Sequence, residues 1–313
     1  MQVLGIDVGG TKVEIASVVD GRAIAPQKIP TPLDDTAALL DGIESLARTV
    51  IEADGEPEAI GVGVPSQIDF ATGAVISSVN IPLEGVPLRD ELESRFNIPV
   101  FVDNDANCAA QAEAELVEDG PAAHLLMLTL GTGVGGGVII DGHVFRGATG
   151  LGAELGHMVI QADGRPCPGR TCNNRGCIEA YCSGKALELV AGRPGREVEQ
   201  AARSGDAQAQ EQLNELGRWL GVGIASFVNI FEPEHLVIGG GFGASAYDLF
   251  IDAALEEARS RALSAGFERV NVSLAKGGPD AGAIGAGVMA SQEHALATGE
   301  RDPARSPIPG GER

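Results

Sequence analysis

His157, Cys167, Cys172 and Cys177 fall within 21 residues, and one imidazole with three thiolates is a complete donor set for a tetrahedral structural zinc. Four protein ligands leave no open coordination position, so a metal held there orders a loop and the chemistry must lie elsewhere. Two carboxylates bracket the cluster: Glu154 precedes His157, and Glu179 follows Cys177. The chain has five cysteines, the others being Cys108 and Cys182. An odd count, with no signal-peptide pattern ahead of the first strand, argues against a disulfide framework and for a cytoplasmic setting. Cys108 reads as a small buried residue. So does Cys182, although its closeness to Cys177 leaves it open as a substitute ligand.

Two glycine turns offer a different chemistry. Gly9-Gly10-Thr11-Lys12 follows an apolar strand that ends beyond Asp7, and a second turn runs from Gly131 to Gly137 and contains Thr132 and Gly133. Glycine lets consecutive backbone N–H groups approach an anion, which suits a polyphosphate. Neither turn is a Walker A loop. Asp7 is placed to hold Mg²⁺ directly or through water, or simply to cap its turn. Asp105 is the candidate general base, because phosphoryl transfer to an alcohol needs a carboxylate to accept the hydroxyl proton. The alternative is that it caps the helix beginning at Ala106. Asn104 can donate and accept at once, which suits a sugar hydroxyl. Glu154, His157 and Glu179 are further candidates to hold a polyol.

The elements that must carry these residues are written in the hydrophobic pattern. Residues 1–19 read as a strand, a glycine turn and a second strand, and 125–130 with 138–140 repeat that plan, which suggests an internal duplication. Strands are expected at 59–64, stopped by Pro65, at 99–102 and at 235–238. Helices are expected at 36–53, 106–117, 207–231, 246–262 and 282–297. The expected organisation is an N-terminal α/β domain, 1–118, completed by the helix 282–297. A larger domain, 119–281, that holds the second glycine turn and the zinc-type cluster, and a disordered Pro/Gly/Arg-rich tail, 298–313, complete it. With 44% hydrophobic and 21% charged residues the chain is globular. Its net charge of −22 disfavours nucleic acid, and no apolar run reaches the length of a membrane span.

Asp7-Val-Gly-Gly-Thr-Lys12, Asn104-Asp105-Ala-Asn107, Leu130-Gly-Thr-Gly-Val-Gly135, Glu154-Leu-Gly-His157 and Gly176-Cys177-Ile-Glu179 together resemble the ROK family (repressors, open reading frames and kinases), in order from residue 3 to about 290. The resemblance implies a two-domain actin-like, ribonuclease-H-like ATPase fold with an interdomain cleft. It also implies ATP-dependent phosphorylation of a hexose, glucose foremost. By position, Asp105 would be the catalytic base. Asn80, Asn104, Glu154, His157 and Glu179 would face the sugar. Gly9, Gly10, Thr11, Lys12, Thr132 and Gly133 would meet ATP phosphates, and Gly240 and Gly241 would pack its adenosine. His157 would turn one ring nitrogen to zinc and the other to a sugar hydroxyl.

Two departures from the family pattern bear on this reading. Cys167 and Cys172 are separated by Pro-Gly-Arg-Thr, where the family has Cys-x-Cys, which leaves Cys167 open as a ligand. Ser66 stands where many members have glycine. Other acceptors implied by the family are mannose, fructose, allose and N-acetylated hexosamines, and polyphosphate is an alternative donor. A sugar-sensing regulator is also known in the family, with a DNA-binding domain ahead of the first glycine loop. A homo-oligomer, dimer or tetramer, is expected.

Overall fold

A computed structural model describes residues 1–118, 120–169 and 172–299. The expected disordered tail lies outside the described residues from 300 onward. The chain divides into two compact units, Met1–Ala123 with Gly137–Ala153 and the segment from Lys276, and His124–Gly136 with Glu154–Ala275.

The first unit is built on a sheet ordered β3-β2-β1-β4-β7. Its strands are β1 (Gln2–Val8), β2 (Lys12–Val19), β3 (Arg22–Pro30), β4 (Ala59–Val64) and β7 (Val100–Asn104). A small ribbon pairs β5 (Ser66–Asp69) with β6 (Ala74–Ser78). β1 pairs antiparallel with β2 and parallel with β4, which pairs parallel with β7. Every residue of β4 is buried, as expected of a central strand covered on both faces. Alternate side chains sort to the two faces. Leu4, Ile6 and Val8 join Leu39, Ile43 and Val50 of α1 (Thr36–Asp54) and Leu88 and Leu92 of α2 (Leu88–Phe96) in one core. Val3, Val18 and Ala59 meet Val288 and Ala290 of the C-terminal helix, α10 (Ala281–Thr298), on the other.

That second face explains why α10 is so poor in large residues. A Cβ added at Gly5 would strike the Ala283 carbonyl, and one at Gly61 the Ala286 carbonyl. Helix backbone therefore lies directly on strand backbone, and only glycine in the sheet permits it. α3 (Asp105–Glu115) follows β7 without a loop and packs beside α10; a Cβ at Gly285 would meet the Cys108 carbonyl.

The second sheet is ordered β10-β9-β8-β11-β12, with β8 (Leu125–Leu130), β9 (Val134–Ile140), β10 (His143–Val144), β11 (His235–Gly239) and β12 (Asn271–Leu274). The division between the units falls within β9. Like the first, this sheet combines a glycine-turn hairpin with parallel strands, since β11 runs parallel to β8 and β12. The second unit also contains α4 (Glu179–Cys182), α5 (Gly184–Ala191), α6 (Gly195–Arg203), α7 (Ala207–Phe231), α8 (Gly241–Arg261) and α9 (Ser264–Phe267). α7 and α8 pack closely: a Cβ at Gly221 would meet the Ala254 carbonyl. One expectation needs correction. The glycine turn ends at Gly133 and β9 begins at Val134, so Gly135–Gly137 belong to a strand. A side chain at Gly136 would stand 2.6 Å from Leu155 and 2.9 Å from the Met127 carbonyl, so glycine serves close packing there. Among the described residues no helix is long and apolar enough to cross a membrane.

Candidate active site

In the first unit, β1 and β2 converge on the turn from Gly9 to Lys12. Gly9 N–H donates to the Lys12 carbonyl at 2.9 Å, and Thr31 Oγ1 donates to the Gly9 carbonyl at 2.7 Å. Asn80 packs beside this turn, its Cβ 3.8 Å from the Cβ position of Gly10. Behind the turn, the fully buried Glu14 carboxylate receives Lys12 Nζ at 2.5 Å and Lys28 Nζ at 3.2 Å, and Lys28 also reaches Asp280 at 2.9 Å. Burial raises the Glu14 carboxyl, with Asp280 adding to the effect.

Asp105 is the first residue of α3, with Asn104 as its cap. The Ala106 N–H donates to Asn104 Oδ1 and to Asp105 Oδ1, both at 2.9 Å. The capping alternative considered for Asp105 therefore falls mainly to Asn104. Asn104 Nδ2 meanwhile donates to the Ser66 carbonyl at 3.2 Å. Each end of the amide thus has a partner in the chain, and the same side chain also bonds to the Asp105 carboxyl. Burial lifts the Asp105 carboxyl above the usual carboxylate range, against the pull of its hydrogen bonds. Asp7 is pushed up to about 6, first by burial and then by Asp105, with Lys12 opposing. Beside the glycine turn, then, the charge of Asp105 adds to burial in raising the proton affinity of Asp7.

In the second unit, the single-turn helix Leu155–His157 presents an exposed Glu154 and a half-buried His157. The ligand atoms of His157, Cys167, Cys172 and Cys177 all lie within 4.8 Å of one another. Cys172 and Cys177 Sγ are 3.9 Å apart, and Cys167 Sγ is 3.6 Å from His157 Nδ1. Zinc–sulfur bonds of ~2.3 Å in a tetrahedron would put two sulfurs about 3.8 Å apart, so the donor set fits the ion with Cys167 included. Cys182 lies elsewhere, buried with Sγ 3.8 Å from the Leu216 carbonyl, and is not a substitute ligand. Glu179 is buried: its Oε2 accepts the Val134 N–H at 2.8 Å and its Oε1 is 3.5 Å from Cys167 Sγ. A Cβ at Gly133 would collide with that carboxylate, which accounts for the glycine. The Gly131 carbonyl accepts the Gly184 N–H at 2.8 Å, pinning the turn to the start of α5. Gly240, at φ 82°, caps α8.

The sequence profile of the ROK family matches residues 3–293. The chain belongs to the ROK family. It is 32% identical to a glucokinase of Halalkalibacterium halodurans over 93% of this chain and 95% of that one. It is 34% identical to an N-acetyl-D-glucosamine kinase of Vibrio cholerae over 79% and 86%. Among solved structures it is similar to a ROK hexokinase from Thermus thermophilus, with a TM-score of 0.86 and 36% identity over 94% of this chain and 99% of that one. It is also similar to a ROK family glucokinase from Streptomyces griseus in complex with glucose and AMPPNP, with a TM-score of 0.74 and 31% identity over 93% and 100%.

Within this ROK chain, several residues that shape the site carry no motif signal. Thr31, Glu14 and Lys28 brace the first glycine turn, and Ser78 takes up the Ser66 hydroxyl at 2.9 Å. Asp103, just ahead of the Asn104–Asn107 motif, ties that motif to Arg146, accepting from Asn104 and Asn107 on one oxygen and from Arg146 on the other. An arginine bordering a glycine-rich segment is the faint sequence mark of that contact.

Proposed function

We propose that this ATP-dependent sugar kinase phosphorylates the primary hydroxyl of glucose, with Asp105 accepting the proton as the oxygen attacks the γ-phosphorus. The observation that carries the reading is the Asp105 carboxyl itself. It is fixed at the first turn of α3, lifted in proton affinity by burial, and near enough to Asp7, beside the Gly9–Lys12 turn, to raise that carboxyl in turn. Its raised proton affinity matches a group that must take up a proton during turnover. Gly9 to Lys12, Thr132, Gly133, Gly240 and Gly241 are assigned to the nucleotide, and Asn80, Asn104, Glu154, His157 and Glu179 to the sugar.

Asp7 is assigned to Mg²⁺, directly or through water, and the ion would offset the charge of the leaving phosphates. His157 and the three cysteines would hold zinc. With Nδ1 turned to the sulfur cluster, the Nε2 of His157 is left to face a hydroxyl with its tautomer fixed. Glucose as acceptor is supported by the glucokinase relatives. The N-acetyl-D-glucosamine kinase relative favours a second reading, with the N-acetylated sugar as acceptor. A coupled assay of ADP release from Mg·ATP, across glucose, mannose, fructose, allose and N-acetylglucosamine, separates these by kcat/KM. Highest kcat/KM on glucose is expected, and a preference for N-acetylglucosamine would replace the first reading with the second.

A further inference from the structure

Arg146 joins four parts of the first unit. Its Nε donates to Asp103 Oδ2 at 2.6 Å and its Nη1 to Glu293 Oε1 at 2.9 Å, with only 13% of the side chain exposed. Its guanidinium carbon lies 3.7 Å from the centre of the Phe70 ring. Its carbonyl accepts the Gly152 N–H at 2.9 Å, which closes the segment 146–152 into a short loop. Within that loop the Thr149 carbonyl accepts the Phe70 N–H at 3.3 Å, and Gly150, at φ +100°, rests against the Ile68 carbonyl.

Asp103 passes the contact on. Its second oxygen accepts the Asn104 N–H at 2.7 Å and Asn107 Nδ2 at 2.8 Å. Those two donors flank Asp105 on either side, so one carboxylate brackets the turn that carries the base. Asp103 is 3% exposed, and a buried carboxylate deprived of its cation is driven to turn toward water. That turn would release Asn104, Asn107 or both. Lysine is a poor substitute, because a point charge cannot bridge two carboxylates and stack flat on a ring.

We propose that Arg146 is a positioning residue: through Asp103 it sets the place of Asp105, and through its carbonyl and Phe70 it sets the 146–152 loop. The inference rests on the reading of Asp105 as the base. The test compares Arg146→Ala, Arg146→Lys, Asp103→Asn and the double variant R146A/D103N by steady-state kinetics. Displacing a reacting group by ~1 Å costs on the order of 10²-fold, so Arg146→Ala should lose kcat on that scale with KM for ATP changed less than about 2-fold. Arg146→Lys, which keeps the charge and safeguards against a folding defect, should recover only part of the loss. The double variant should fall no further than the worse single variant, because both act through one contact. Added guanidinium ion should raise kcat of Arg146→Ala where equimolar urea does not. Additive losses, or full activity in Arg146→Ala, overturn the inference while leaving Asp105 as base. A wild-type chain that phosphorylates none of the hexoses overturns the base reading and this inference together.

Discussion

Glu179 Oε2 accepts the backbone N–H of Val134, the residue that follows the Gly131–Gly133 turn, at 2.8 Å. The same carboxylate lies 3.5 Å from Cys167 Sγ through its other oxygen. One side chain thus links the proposed metal cluster to the proposed phosphate turn, and loosening one should loosen the other.

Elemental analysis is accordingly expected to find one zinc per chain. Removing it with a strong chelator should lower the Tm, expose residues 154–179 to protease, raise KM for ATP and abolish most turnover; added zinc should restore all four. The coupling arises because a metal bonded to all four donors, which lie within 4.8 Å of one another, would bind the folded segment far more tightly than the unfolded one. Zinc-free protein with undiminished turnover would sink the assignment.

Asp105→Asn keeps the size and much of the hydrogen bonding at the start of α3 but cannot accept a proton. Loss of a general base should lower kcat by roughly 10²–10⁴-fold. Sugar affinity, followed by calorimetry, should change little. Near-normal turnover in the variant would remove Asp105 from the reaction.

Asp7 makes a prediction about stability. Burial, reinforced by Asp105, lifts its carboxyl from the ordinary 3.8 to about 6. Over that interval the folded chain holds a proton that the unfolded chain has released. The group's stabilising contribution is therefore complete below about pH 4 and is lost as pH rises through 6, roughly 3 kcal/mol in all. Asp7→Asn carries no charge to bury. In metal-free buffer its Tm should exceed that of the wild type at neutral pH, and the difference should vanish in acid. An equal or lower Tm at neutral pH would show that Asp7 is not strained by its surroundings.

How much of this was legible in the sequence depends on where the partners lie along the chain. β4, β8 and α7 follow directly from apolar runs and spacings, bounded by Pro65 and by glycines. The cluster of His157 with three cysteines is legible for the same reason, since its members sit within one local segment. Gly135–Gly137 mislead because glycine erases the alternation that marks a strand, and the packing that demands it, Leu155 against β9, is not local. The contact between Arg146 and Asp103 spans 43 residues and joins the end of β7 to the 146–152 loop. No period or motif encodes such a pair, so only the folded chain reveals it. Asn104 is an intermediate case: its residue type suggests a ligand for a sugar hydroxyl, and the fold shows its amide already engaged with Ser66, Ala106 and Asp105.

Gly61→Ala tests the contact of α10 with the sheet. The new methyl would run into the Ala286 carbonyl and lie 3.1 Å from Ala290 Cβ. Backbone cannot swing aside as a flexible side chain can, so the cost should reach or exceed the ~1–3 kcal/mol of ordinary overpacking. Thermal unfolding should show a Tm lowered by several degrees. An unchanged Tm would mean that α10 is held less closely than Gly5 and Gly61 imply.

Ser66 offers the sharpest test of acceptor choice. Its Oγ donates to Ser78 Oγ at 2.9 Å, and Ser78 Oγ donates to the Ile81 carbonyl at 2.8 Å, so two hydroxyls in series fix the segment that carries Asn80. Ser66→Gly removes the first link while keeping the carbonyl that holds Asn104. One hydrogen bond of ~1 kcal/mol corresponds to a several-fold change in a rate ratio. The ratio of kcat/KM for glucose to that for mannose or N-acetylglucosamine should fall by about that factor, with kcat on glucose nearly unchanged. Ser78→Ala should reproduce the shift, because it cuts the same chain of hydroxyls one link later. Unaltered ratios in both variants would confine Ser66 to shaping its hairpin and return acceptor choice to Glu154, His157 and the 146–152 loop.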